Sequence, residues 1–382
     1  MDQRVSFGLD GLAALIGALG DDGSEGGRRL LAPRRVPHGA DIDVVWDEID
    51  GVDSLPIGWH DETEPGRRRL VDDGTATVFG VSLATGSPKA IVHPPEAPVW
   101  TLHRTEGEVA VHLAGTDVIP TALLGVRPCE AAAIARLDTV LLGGPHPDRA
   151  YRARRDDLLV VVVECTRSTD TCFCASAGTG PAHDVDAGAA AVADLVLTEI
   201  DVDGVDGPRF LAKATSDRGR VLLDAVDHVP ATGAEAHAAT RAVHDAGHLQ
   251  RRALPPDVAA RLLGHLGDDH WQAVAERCVA CANCTLVCPT CFCSDLIDTT
   301  DLAGEFAERR RTWDSCFRLD FSHMGSGPIR DGRDRRYRQW LTHKLSTWHE
   351  QFGESGCVGC GRCITWCPVG IDLTAEAAEV IS

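Results

Sequence analysis

Cys278-x2-Cys281-x2-Cys284-x3-Cys288-Pro289, repeated as Cys357-x2-Cys360-x2-Cys363-x3-Cys367-Pro368, decides the reading of this chain. The doubled spacing is the bacterial ferredoxin pattern for two cubane iron–sulfur clusters, in which the fourth cysteine of each run ligates the other cluster. Three closely spaced cysteines wrap one face of a cubane because a tight turn brings their sulfurs together. The three-residue gap that follows is about one helical turn, so the fourth sulfur points away toward the neighbouring site. Pro289 and Pro368 then end that turn. This pairs Cys278, Cys281, Cys284 and Cys367 on one [4Fe–4S] cluster, and Cys357, Cys360, Cys363 and Cys288 on a second. Eight cysteines in this register argue against two zinc ribbons or a disulfide set.

Working outward, the chain has 382 residues, enough for two or three domains. The longest apolar run, Leu158 to Val163, is too short to span a bilayer. Met1-Asp2-Gln3-Arg4 has no basic segment leading into an apolar one, so no signal peptide is expected and the expected location is the cytoplasm. In that reducing compartment fifteen cysteines point to metal rather than disulfides. The net charge of −20 argues against nucleic acid, which needs a basic surface. Only Lys89, Lys213 and Lys344 are lysines; the other basic residues are arginine. The basic segment Arg309 to Lys344 reads either as a solvated face or as a docking face for an acidic partner.

The expected fold is α+β: an N-terminal α/β domain over 1–254, then a mainly helical ferredoxin-like dicluster domain over 255–382, with a long insert at 294–356. Strands are expected at Val109–Leu113, Thr121–Val126, Thr139–Leu142, Leu158–Glu164, Leu195–Ile200 and Phe210–Ala212. Helices are expected at Glu130–Arg136 and Ala234–Gln250. The first hundred residues read only as part of the same domain. Pro255 and Pro256 mark the boundary, a helix follows through Leu262 and Leu263, and Asp269 with Gln272 can form a capping box before Cys278. The insert is expected to be helical and partner-facing.

Seven cysteines remain: Cys129, Cys165, Cys172, Cys174, Cys291, Cys293 and Cys316. Cys129 follows the strand Thr121–Val126, and Cys165 follows Leu158–Glu164. If the two strands are parallel, both cysteines emerge at the carboxyl edge of one sheet, where α/β folds bind ligands. Cys172 and Cys174 lie in the loop beyond, so these four form a candidate third cubane site. A helix N-terminus at Cys129 would favour its thiolate. The other readings are buried, unligated cysteines, or a partition that joins Cys291, Cys293 and Cys316 with a cysteine of the first domain. Otherwise these last three stay unassigned.

Other chemistry is missing from the sequence. There is no G-x-G-x-x-G after an expected strand and no P-loop, and Gly178-Thr179-Gly180-Pro181 reads as a turn. No H-E-x-x-H occurs, nor the paired C-x2-C motifs that hold a nickel–iron centre. No catalytic residues can be named, which leaves one-electron storage and relay.

Several motifs occur as an ordered set: Gly125-Val126-Arg127-Pro128-Cys129-Glu130, Glu164-Cys165, Thr171-Cys172-Phe173-Cys174, Gly178-Thr179-Gly180-Pro181, Cys278 to Thr285, Pro289-Thr290-Cys291-Phe292-Cys293, Trp313-Asp314-Ser315-Cys316, His343-Lys344, and Cys357 to Ile364. Over roughly residues 90 to 375 the set resembles the iron–sulfur beta subunit of cytoplasmic NADP-linked nickel–iron hydrogenases (sulfhydrogenases). It is equally similar to the iron–sulfur subunit of anaerobic sulfite reductase. Glu130 stands where an aspartate is common in the family. The hydrogenase resemblance implies a non-catalytic electron-transfer subunit of an oxidoreductase complex. Its partners would be a flavin subunit that handles NAD(P)H and the small and large nickel–iron hydrogenase subunits, with no nucleic acid and no membrane. A relay is needed there because a nicotinamide moves two electrons as hydride while each cubane takes one. A stand-alone oxidoreductase with a substrate site in the N-terminal domain is the alternative of a different class.

Overall fold

The computed structural model describes residues 4–21, 23, 27–39, 41–105, 107–113, 118–184, 192–202, 204, 205 and 207–382. The reading of Met1 to Gln3 as leaderless lies outside them. The strands, in chain order, are β1 (Val5–Phe7), β2 (Arg29–His38), β3 (Asp41–Glu48), β4 (Trp59–Glu64), β5 (Arg67–Asp72), β6 (Glu96–Thr105) and β7 (Glu108–Leu113). They continue with β8 (Thr121–Val126), β9 (Leu158–Val163), β10 (Leu195–Ile200), β11 (Arg209–Ala214), β12 (Val229–Pro230), β13 (Ser294–Thr300) and β14 (Phe306–Trp313).

Eight of these build one sheet in the order β12-β1-β11-β10-β9-β8-β2-β3. The central strands β10, β9, β8 and β2 run parallel, and antiparallel strands flank them. The continuous apolar run of β9 fits its central place, because a parallel strand is covered on both faces. One face packs on the helix Leu9–Gly20 through Leu12, Leu15 and Leu19. The other packs on the helix Pro128–Leu142 through Ala131, Ile134 and Leu137.

The expected strand at Thr139–Leu142 is instead the last turn of that helix. Nothing between Glu130 and Leu142 breaks a helix, and a four-residue apolar run has no period of its own. The helix at 233–248 is present, with a capping box between Thr232 and Glu235. The expected box at Asp269 does not form. The helix His270–Arg277 is capped one residue earlier, where the Asp268 carboxylate accepts from the His270 N–H at 2.8 Å.

The insert departs most from expectation. Its first part is β13 and β14, which extend β6 and β7 into a four-stranded antiparallel sheet in the order β13-β14-β6-β7. Only its second part is helical, at Arg333–Thr342 and Trp348–Phe352, joined by a wide π turn over His343–Thr347. The arginine run of β14 is matched by acids: Arg309 grips Asp298 with two bonds of 2.6 and 2.7 Å, Arg310 meets Glu96 at 2.8 Å and Arg311 meets Asp148 at 2.6 Å. The local basic charge is therefore largely neutralised within the molecule. The C-terminal core gathers Trp271, Val274, Tyr337, Trp340, Leu345 and Ile364.

Candidate iron–sulfur sites

Both cysteine runs take the same backbone path. Ala280 and Ala282 have φ of 53° and 66°, and Gly359 and Gly361, at the matching positions, have 61° and 75°. Two left-handed residues in each run turn its first three sulfurs toward one side, at a cost of about 1–2 kcal/mol for each alanine. Short helices then follow, Asn283–Leu286 and Arg362–Thr365, and end ahead of Pro289 and Pro368 as the spacing predicts.

Cys278, Cys281, Cys284 and Cys367 line one apolar cavity, with Cys363 of the second run also on its wall, closed by Phe317 and Tyr337. Backbone N–H groups point at its sulfurs: Ala280 donates to Cys278 Sγ at 3.4 Å and Ile371 to Cys367 Sγ at 3.3 Å. The other dicluster group is more deeply placed. Cys357, Cys360 and Cys288 are each 8% exposed, and the Gly359 N–H faces Cys357 Sγ at 3.5 Å. Burial, then the Cys357, Cys360 and Cys288 thiols, push the Cys363 thiol well up. The two groups adjoin, because Asn283 of the first run donates to the Trp366 carbonyl of the second at 2.5 Å.

The four cysteines of the first domain also converge. β8 and β9 are parallel, so Cys129 and Cys165 emerge at one sheet edge. Cys129 packs with Cys174 and with Cys360 of the second run. Thr169 Oγ1 lies 3.1 Å from Cys172 Sγ, and Gln250 Nε2 donates to Cys174 Sγ at 3.1 Å. Burial pushes the Cys165 thiol up to about 11. The helix start was expected to favour a Cys129 thiolate. In the folded chain burial, joined by Cys174 and Cys360, pushes that thiol well above its ordinary value. A dipole worth at most about 2 kcal/mol does not outweigh full desolvation of a thiolate. A bound cation reverses that balance, since coordinated thiols lose their protons.

Three interactions lock this region onto the second run. Phe173 N–H donates to the Gly359 carbonyl at 2.9 Å. A Cβ on Gly361 would stand 2.3 Å from the Thr171 carbonyl oxygen. Glu130, 2% exposed, meets Arg362, 1% exposed, at 2.6 Å. The β4–β5 hairpin adds a fourth contact, with Gly66 N–H on the Ile364 carbonyl at 3.0 Å.

The remaining three cysteines gather elsewhere. The Cys291 thiol contacts Cys288, and its hydrogen bond is the first cause of a Cys288 thiol held well below the usual range. Cys316 does the same for Cys293, lowering it to about 7. The structure therefore groups Cys129, Cys165, Cys172 and Cys174 near Cys360, while the described sulfur contacts pair Cys291 with Cys288 and Cys293 with Cys316. Lys344 and Lys89 are buried beside them: Lys344 donates to Cys288 Sγ at 3.2 Å, and Lys89 to the Cys291 carbonyl at 3.2 Å. Sequence reading gave neither lysine a role. The usable signal was that lysine is so rare in this chain.

Thiols in apolar, enclosed groups with inward N–H donors suit [4Fe–4S] clusters. Among the described residues no three His, Cys, Asp or Glu side chains gather to hold a single metal ion, a tighter requirement than a multi-iron cluster imposes. Among the described residues no helix is long and apolar enough to cross a membrane.

The sequence profile of the 4Fe-4S dicluster domain matches residues 277–371, which defines the class of the C-terminal part. The chain is also 31% identical to the sulfhydrogenase 2 subunit beta of Pyrococcus furiosus over 265 residues, covering 68% of this chain and 73% of that one. It belongs to the family of these hydrogenase beta subunits, iron–sulfur proteins of electron transport.

Proposed function

We propose that this chain relays single electrons between a flavin subunit that handles NAD(P)H and the small and large subunits of a nickel–iron hydrogenase. It does so with three [4Fe–4S] clusters, held by Cys278, Cys281, Cys284 and Cys367; by Cys357, Cys360, Cys363 and Cys288; and by Cys129, Cys165, Cys172 and Cys174. Each cluster supplies a one-electron store. The observation that carries the reading is the packing of Cys129 and Cys174 on Cys360, which makes the third thiolate group contiguous with the dicluster pair. The protein's part is to hold the thiolates in fixed groups, to exclude water with Phe317, Tyr337 and Trp340, and to keep Cys281 exposed at one end. The hydrogenase relative supports this reading over a role in sulfite reduction.

Anaerobic reconstitution followed by iron and sulfide analysis tests it, with about twelve irons per chain expected, four for each cubane. Cys165→Ala should lose about four of them and keep the dicluster signals in low-temperature EPR. About eight irons in the unaltered chain would remove the third cluster from the proposal, and fewer would sink the relay itself. Micromolar binding of NADPH or flavin to the isolated holo-protein would favour the stand-alone enzyme instead.

A further inference from the structure

Lys344 is a buried cation without a carboxylate. It is 5% exposed, and among the described ion pairs none uses it. Arg362 and Arg136, also buried near the cysteines, pair with Glu130 and Glu354, while Lys89 donates to the Leu286 and Cys291 carbonyls and lies over the Trp313 ring. Lys344 donates to Cys288 Sγ at 3.2 Å, to Thr290 Oγ1 at 2.8 Å and to the Gly356 carbonyl at 3.4 Å. An unpaired ammonium this deep is stable only beside negative charge, and the sulfurs are the anionic groups within its reach. The backbone is arranged for this contact. Lys344 lies in the π turn His343–Thr347, a local widening of the helix of the kind that gathers at functional sites. Two of the chain's three lysines are buried beside Cys288 and Cys291, in a protein that otherwise uses arginine for positive charge. A compact ammonium fits a single sulfur where a planar guanidinium would not.

The other thiolate groups are served differently. The described donors to Cys278 and Cys367 are backbone N–H groups, and Cys174 receives the neutral Gln250 amide. Hydrogen bonds to sulfur and nearby charge are the protein's levers on cluster potential. Reduction adds one electron and no proton, and a lysine side chain ordinarily carries one positive charge at neutral pH. A fixed positive charge therefore favours the reduced form. We propose that Lys344 makes the cluster held by Cys288, Cys357, Cys360 and Cys363 the highest-potential member of the relay, so that the electron rests at its centre. This rests on the ligand assignment proposed above.

The test is an EPR-monitored redox titration of the reconstituted full chain, unaltered and as Lys344→Met. One midpoint should fall by the equivalent of a tenfold or greater loss in the reduction equilibrium, about 59 mV for a one-electron couple, while the others stay in place. Lys344→Gln, which removes the charge but keeps a polar donor that Cys288 Sγ can accept from, should move the same midpoint down by less. Lys344→Arg, which keeps the charge, should restore part of the shift. If Lys344→Met loses the cluster, Lys344→Gln decides: a lowered single midpoint upholds the proposal and an unmoved one overturns it. Full iron content with unmoved midpoints in both variants overturns the role of Lys344 alone. An equal shift of every cluster also overturns it, because that is a general charge effect. An iron count below about eight in the unaltered chain overturns the ligand assignment instead.

Discussion

At the scale of single residues, Glu130 and Arg362 carry an interaction that can be measured directly. Both are buried, and Arg362 also donates to the Ala84 carbonyl at 2.6 Å. Removing one partner leaves the other charge buried and unmatched, a loss of about 3–5 kcal/mol. Arg362→Met should therefore lower the anaerobic melting temperature strongly. The double variant with Glu130→Leu should recover much of the loss. Equal melting of the single and double variants would show that the pair is not coupled. His93 sets a pH limit. It is 1% exposed, neither ring nitrogen has a partner, and its ring stacks on Trp313 at 6.4 Å. Burial first, then Arg311 and Lys89, lower its pKa to about 3. Above pH about 6.5 the folded and unfolded forms are both neutral at this residue. Below that the unfolded chain takes up a proton that the folded chain refuses until about pH 3, so stability is lost as the pH falls through this window. At pH 5 the loss is about 2 kcal/mol. His93→Phe should flatten the difference in melting between pH 7 and pH 5, and an unchanged difference would assign the acid sensitivity to other groups.

Among the elements, the cysteine runs were legible because their chemistry is written in local spacing. The same holds for Cys129 and Cys165, whose positions after β8 and β9 needed only a parallel pair to bring them together. β13 and β14 were not legible. β14 pairs with β6, some two hundred residues away in sequence, and no local pattern in Phe306–Trp313 announces that pairing. The arginines of β14 likewise gained meaning only opposite Asp298, Glu96 and Asp148. Lys344 was visible in the sequence, but its contact with Cys288 depends on a turn that pattern does not reveal. Gly361 shows how one element fixes another. With φ at 75° and the Thr171 carbonyl 2.3 Å from any added Cβ, Gly361→Ala should push the 171–174 loop off the second run. About 1–2 kcal/mol of backbone strain adds to that clash. Iron analysis should then show partial loss, with EPR placing it at the third thiolate group. Full iron retention would mean the loop seats itself independently.

For the whole molecule, the junction around Glu130, Arg362, Gly359 and Phe173 leaves no linker between the sheet edge and the second cysteine run. A relay built on it is a wired block rather than a swinging arm. Thickening the solvent with glycerol, which slows the diffusion of one body past another, should leave its internal hops unchanged. It should slow only the arrival and departure of the proteins at either end. Stopped-flow reduction followed at increasing viscosity separates the two: viscosity-dependent equilibration within the chain would reveal a hinge that this junction does not provide. A rigid conductor of this kind fixes its tunnelling gaps when it folds, so what remains adjustable afterwards is the charge beside each station.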